Sequence, residues 1–390
     1  MTDPRRSLGP LVAADETLTH QITDTFGTVA ESDRSWTEKI CAMACARDGS
    51  LQLAFGLGKY PNRDVLDGYA GVSRGVEQWT VRASRALSTD RETLGAGPLR
   101  YEILEPLRSI RFSLDANDVV PVRFEWTFEH AVPPTLEQRE IHRSADGARV
   151  DADVVRYHQI GTAHGWAEVD GDRVEFDDTT WVSTRDHSWG VRYMVGEPPS
   201  DVPARDAPAG VSTLVLWSPV LCERPDGSRY GLHTYYQRHA LGTWQRVECQ
   251  GGVEHPDGRV EPFVGLVPEL EVRDDSRRLV GGTLRYRMGN GAERVVEVHA
   301  ASDTGFHLGA GLYFGFDGHW HGQWRGPLVV EGEHVADCAR PDVARRLHQM
   351  RDCVVTVRDP AGGGVGWGNL QSLVLGAHPD LGLTDAASFV

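Results

Sequence analysis

Val122-Arg-Phe-Glu-Trp-Thr-Phe128 alternates apolar and polar side chains without a break. Period-2 alternation puts Val122, Phe124, Trp126 and Phe128 on one face of a half-buried strand. Working outward, Ile110-Arg-Phe-Ser-Leu114, Leu99-Arg-Tyr-Glu-Ile-Leu104, Glu77-Gln-Trp-Thr-Val-Arg-Ala-Ser84 and Leu51-Gln-Leu-Ala-Phe55 repeat the pattern. Val155-Arg-Tyr-His-Gln-Ile160 continues it, and Asp115-Ala-Asn-Asp118 and Asp170-Gly171 supply turn chemistry between strands. Residues 196–210, GEPPSDVPARDAPAG, have no apolar face and read as a linker. Strands resume at Ser212-Thr-Leu-Val-Leu-Trp217, Gly231–Tyr236, Leu284–Arg287 and Val295–Val298. Pro341–Met350 reads as the one clear helix, and Cys353-Val-Val-Thr-Val357 as a last strand before a glycine-rich run. The expectation is an all-β chain with minor helix: a polar arm at 1–30, a first β domain at 31–195, the linker, a second β domain at 211–375, and a tail at 376–390. Periodicity alone leaves barrel and sandwich both open.

The composition excludes several functions. The net charge is −16 over 390 residues, and no basic run exceeds two residues. Such a surface repels nucleic acid and anionic membranes. No apolar stretch is long enough to serve as a signal peptide or to span a bilayer, which predicts a cytoplasmic protein without integral membrane association. Six scattered cysteines fit free thiols in a reducing compartment, with Cys41 and Cys45 on one helix face or in a strand. There is no Walker-type loop and no CxxC. Gly71-Val-Ser-Arg-Gly75 has the letters of a nucleophile elbow but lacks the strand-to-helix setting.

Two segments concentrate reactive side chains. In Trp181-Val-Ser-Thr-Arg-Asp-His-Ser-Trp-Gly190, strand alternation puts Trp181, Arg185, His187 and Trp189 on one face and Asp186 on the other. His187 or Asp186 could serve as acid or base, and the tryptophans could shield an apolar ligand. The alternative is a well-packed strand whose polar groups bond backbone. In Gly311-Leu-Tyr-Phe-Gly-Phe-Asp-Gly-His-Trp-His-Gly-Gln-Trp-Arg-Gly326, a regular strand would align Tyr313, Asp317, His319 and His321, whereas a turn at Asp317-Gly318 would break that alignment. The His319/His321 pair lacks further ligands at metal-site spacing, so no metal is expected.

Lys59-Tyr-Pro-Asn62, Asp67-Gly-Tyr-Ala-Gly71, Gln78-Trp-Thr-Val-Arg-Ala-Ser-Arg85, Arg185-Asp-His-Ser-Trp-Gly190 and His321-Gly-Gln-Trp-Arg-Gly326 together resemble the carotenoid 1,2-hydratase (hydroxyneurosporene synthase), AttH-like and tocopherol-cyclase-like superfamily. Lipocalin-like Diels–Alderases are more distant relatives. The resemblance spans about residues 30–375. It implies two consecutive lipocalin-like antiparallel β-barrel domains with an apolar, tryptophan-lined ligand site at or between them. It also implies a cofactor-free lyase or isomerase that hydrates, cyclises or isomerises a hydrophobic terpenoid, steroid-like or polyketide molecule by acid catalysis. A non-catalytic carrier of such a ligand is the other reading. The matching positions make Asp186, His187 and His321 candidate catalytic residues, and Asp317 joins them from the 311–326 segment. Trp181, Trp189, Tyr313, Trp324, Trp79 and Tyr60 are the candidate substrate-binding residues. No Tyr-x-Asp motif marks the hydratase acid on this chain. The sequence is also compatible with a homodimer.

Overall fold

The structure, a computed structural model, describes residues 31–144, 147–201 and 210–383. The expected arm, most of the linker and the end of the tail lie outside the described residues. The first half supplies β1 (Trp36–Ala46), β2 (Gln52–Tyr60), β3 (Val65–Arg74), β4 (Glu77–Ala86), β5 (Gly95–Ala96), β6 (Leu99–Glu105) and β7 (Ser109–Leu114). It continues with β8 (Val122–His130), β9 (Thr135–Leu136), β10 (Glu140–Arg143), β11 (Val150–Val169), β12 (Asp172–Phe176) and β13 (Trp181–Val191). The second half supplies β14 (Ser212–Glu223), β15 (Arg229–Leu241), β16 (Trp244–Glu254), β17 (Val260–Val272), β18 (Leu279–Met288) and β19 (Glu293–His307). After them come β20 (Leu328–Val335), the short helix α1 (Pro341–Arg346), β21 (Arg351–Asp359) and β22 (Gly364–Leu375). The chain is all-β and antiparallel, as the alternation indicates.

β14, β15, β16, β17, β18, β19, β21 and β22 close into a barrel. The first sheet runs β20-β4-β3-β2-β1-β13-β11-β8-β7-β6-β5. It curls until its ends meet: Arg85 Nε on β4 donates to the Gly95 carbonyl of β5 at 2.7 Å. Gly97, at φ +51°, lies so close to Val330 of β20 that a Cβ there would sit 2.6 Å from it. Late in sequence, β20 is thus an edge strand of the first sheet. Leu308–Gln349 therefore forms a strap that leaves the second barrel, joins the first sheet and returns.

Both barrels are filled. Val122, Phe124, Trp126 and Phe128 all point into the first, with Phe112 stacked on Trp126 at 4.8 Å. Leu214, Leu216, Phe263, Tyr286 and Val355 fill the second. Close-packed aromatics leave no room for a ligand inside. The barrel interiors are therefore cores, and of the two places the resemblance allows for a ligand site, at the domains or between them, the cavity takes the second. The glycine-rich run at 362–368 is the hairpin into β22, so Cys353–Val357 is the penultimate strand. Gly71–Gly75 belongs to the β3–β4 hairpin.

Candidate functional site

The two barrels meet side to side. β1, β11 and β13 turn the face opposite their core residues toward β14, β15 and β22. Between them opens a partly open cavity of ≈140 Å³, walled on the first barrel by Lys39, Cys41, Arg156, Asp186 and Ser188, with Arg192 just beyond β13. The second barrel adds Val215, Trp217, Tyr235 and Gln371, and the strap adds Leu308, Tyr313 and Met350. The register explains the first wall: Lys39 lies across from Ser188 and Cys41 from Asp186, while Arg156 lies across from Ser188 on the other side.

Asp186 is the titratable acid of this wall. Its carboxylate lies 3.5 Å from Arg156 Nε. Burial pushes its pKa up, against the opposing pull of Arg156 and Arg192. Lys39 is driven down to about 8 by burial and by Arg192. Its ammonium stands 3.9 Å from the centre of the Tyr313 ring. Tyr313 stacks on His321 at 5.4 Å, and His321 Nδ1 lies 2.9 Å from the Tyr60 hydroxyl. Asp67, pushed up to about 6 by burial, accepts from the Gly322 amide at 2.5 Å. Gly322 has φ +70°, and a Cβ there would sit 2.7 Å from the Tyr60 ring, so only glycine brings that amide to Asp67. Asp352, on the β21 face that turns toward the first barrel, is pushed up to about 8 by burial and keeps one carboxyl oxygen without a hydrogen bond.

The candidates of the sequence thus divide. Asp186 and Tyr313 line the cavity, and His321 and Tyr60 support Tyr313 from behind. Strand alternation holds in β13, and it sends His187 away from the cavity, into the first barrel. There His187 Nδ1 meets the Tyr157 hydroxyl and Nε2 meets Glu38, both at 3.0 Å. Arg185 joins this buried network through Gln159 and Tyr157. Trp189 packs on His187 and Tyr157, Trp181 stacks on Phe176 at 3.8 Å, and Trp79 is in the core. The Asp317–Gly318 turn does break the alignment: Asp317 takes φ 49° and pairs with Arg346 at the surface. Trp324 is 51% exposed. We expect His187→Ala to lower the unfolding free energy by about 2–4 kcal/mol, through a cavity and the loss of the hydrogen bonds to Tyr157 and Glu38. Turnover per folded molecule should show nothing like the roughly 10²-fold loss of a positioned acid or base. Urea melts alongside active-site-titrated rates separate the two.

The sequence reading missed Lys39, Arg156 and Arg192. Lys39 carried a weak signal, as a cation directly before the apolar Ile40–Ala46 run of β1. It also missed a charged cluster beside the cavity. Glu137, 4% exposed, accepts from Arg156, Trp217 Nε1 and His158 Nδ1, each at 3.1 Å. His158 Nε2 meets Glu254 at 2.6 Å, and the His158 and His233 rings stack at 3.5 Å. Burial opposes charge on both partners, yet Arg156 and His158 hold Glu137 low, and Glu254 and Glu137 hold His158 up at about 9. Donor atoms of Glu137, His158 and His233 lie within 4.8 Å of one another. The donors do not suit a metal ion: Glu137 is already occupied by three N–H groups, Arg156 would repel the ion, and His158 would have to lose its proton. The His319/His321 pair separates, His319 Nδ1 going to Gln323 at 3.3 Å.

The cluster joins the barrels, and its pH response follows from His158. A folded-state pKa of about 9 exceeds the unfolded value of about 6.5. The stabilisation is therefore full below about pH 6.5 and is lost as pH rises through about 9. The stability difference between the parent and His158→Gln, from urea melts at pH 6 and 9.5, should shrink over that window.

The sequence matches the family described as "Family of unknown function (DUF8625)" over residues 11–384. No curated protein matches it. Among solved structures, the AttH-like protein of Nitrosomonas europaea aligns with a TM-score of 0.50 at 10% identity, covering 87% of this chain and 92% of that one. This likeness shows the two-barrel fold that the motifs implied. Kievitone hydratase from Nectria haematococca aligns at a TM-score of 0.42 and 8% identity, covering 86% and 88% of the two chains. CghA with Sch210972 aligns at 0.49 and 12%, covering 87% and 89%. Among the described residues, no helix is long and apolar enough to cross a membrane.

Proposed function

We propose, on the premise that this chain belongs to the family of unknown function DUF8625 and that its site must therefore speak for its chemistry, that it is an acid–base lyase or isomerase working at the interdomain cavity on a carbonyl-activated double bond. One observation carries the reading: Asp186, Lys39 and Arg192 line the same small cavity. A carrier has no need of an acid–base group facing its ligand, which favours catalysis over transport.

The charges choose between two chemistries. Protonating an isolated alkene makes a carbocation, and an aromatic face returns only about 0.5–2 kcal/mol for it. A like charge at about 4 Å costs on the order of 4 kcal/mol at an effective dielectric of about 20. Lys39, Arg156 and Arg192 thus disfavour a carbocation and favour an oxyanion. In a hydration, Asp186 takes a proton from water as the oxygen bonds to the β-carbon of an enone. The π electrons move onto the carbonyl oxygen beside Lys39 and Arg192. Asp186 then returns the proton to the α-carbon, and the sum is addition of one water. In an isomerisation, Asp186 carries a proton from one carbon to another through the same enolate.

The test is proton NMR in D2O with α,β- and β,γ-unsaturated ketones and acids bearing one ring or short chain. Enzyme-dependent deuteration, double-bond migration or water addition is expected for at least one of these classes. No turnover of either class would overturn the reading.

A further inference from the structure

We infer that the substrate enters this cavity as a planar oxyanion, a carboxylate or a stabilised enolate, that docks between Lys39 and Arg192. The inference rests on the reading of the cavity as the active site and adds the class of molecule that fills it. Lys39 is 5% exposed, and among the described residues its ammonium has no ion pair and no hydrogen bond, only the Tyr313 ring. A lysine that buried is almost always paired. The depressed Lys39 pKa of about 8 comes first from this burial and then from the neighbouring Arg192. Arg192 bonds the Ser188 hydroxyl through one terminal nitrogen, while its buried Nε has no partner, and it too has no ion pair among the described residues.

The third cation of the wall behaves differently. Arg156 is matched by Glu137 at 3.1 Å, Asp186 at 3.5 Å and Glu140 at 3.7 Å. Asp186 makes its ion pair with Arg156, so Lys39 and Arg192 feel Asp186 only at longer range and neither has a carboxylate in direct contact among the described residues. This happens in a chain whose net charge is −16, where carboxylates are plentiful and two cations without a direct ion pair in one cavity are out of keeping. Arginine presents a planar fork to a planar oxyanion, and lysine a point charge. The size sets the scale of the ligand's head: ≈140 Å³ compares with the roughly 150 Å³ cavity that holds a benzene ring. One ring or its equivalent fits, and the rest of the molecule extends through the mouth.

Calorimetric titration of the full chain at pH 7 with benzoate, with the enolate of dimedone (a cyclic 1,3-diketone) and with benzamide tests this. Benzamide has the shape of benzoate without its charge. At least one anion should bind about ten-fold or more tighter than benzamide, and Lys39→Met and Arg192→Met should each remove about ten-fold or more of that affinity, the usual worth of one charged hydrogen bond. Preference for benzoate identifies a carboxylate head, and preference for dimedone an enolate. Lys39→Met replaces an unpaired buried charge by an apolar chain beside Leu308 and Met350, so it should melt no lower than the parent. Equal affinity for anions and benzamide, no binding of either anion at about 10 mM, or undiminished affinity in both variants would overturn the inference. Anion binding without any proton exchange in D2O would remove the catalytic reading and leave this one standing. Exchange on neutral ketones with no anion preference would do the reverse.

Discussion

Glu137→Gln lowers the unfolding free energy by about 3–5 kcal/mol, the cost of breaking a buried ion pair from one side. Glutamine keeps the shape and removes the charge. It leaves the Arg156 guanidinium and a protonated His158 facing a neutral amide where Glu137 and His158 are buried. It also turns an acceptor-only group into one that presents N–H toward the Trp217 and His158 donors. The cluster draws on both halves of the chain: Glu137 and His158 come from the first, Trp217, His233 and Glu254 from the second. The loss should therefore appear as weakened coupling between the barrels, with an unfolding transition broader than that of the parent. Chemical denaturation followed by circular dichroism and tryptophan fluorescence measures both. A change below about 1 kcal/mol would mean that water reaches the cluster and screens it.

Asp186→Asn should lower turnover by about 10²–10⁴-fold, the worth of a positioned general acid–base group. Stability should change far less than in Glu137→Gln, because Asp186 is half-buried at the cavity wall and Arg156 keeps Glu137 and Glu140. The amide also removes the charge beside Arg156, so anionic ligands should bind as well as before or better. This combination of lost rate, kept fold and kept binding is the signature of a catalytic group. A variant that turns over at the parental rate would move the acid–base role to another carboxyl of the region, Asp67 or Asp352, both raised by burial.

Fold class was legible because side-chain period is a local property. In β8, Val122, Phe124, Trp126 and Phe128 are buried and Arg123 is exposed, as alternation alone requires. The same rule separated Asp186 from His187: neighbours on a strand face opposite ways, and that put Asp186 at the second barrel. Tyr60 and His321 sit in separate motifs far apart in sequence, and the structure brings them together with Tyr313. The site itself was not legible. It assembles from residues as distant as Lys39, Arg156, Tyr313 and Gln371, and no window of sequence contains their meeting. Of the tryptophans read as ligand contacts, Trp79 serves the core, where packing density decides. The sequence by itself determined two sets of alternating strands and which side chains share a face, since those depend on backbone geometry over a few residues. Only the tertiary structure decided that the barrels are filled, that a late strand closes the first sheet, and that the cavity lies between the barrels and not at either one, with two cations lacking a direct ion pair. Those outcomes depend on which faces pack together and which charges then lose their water.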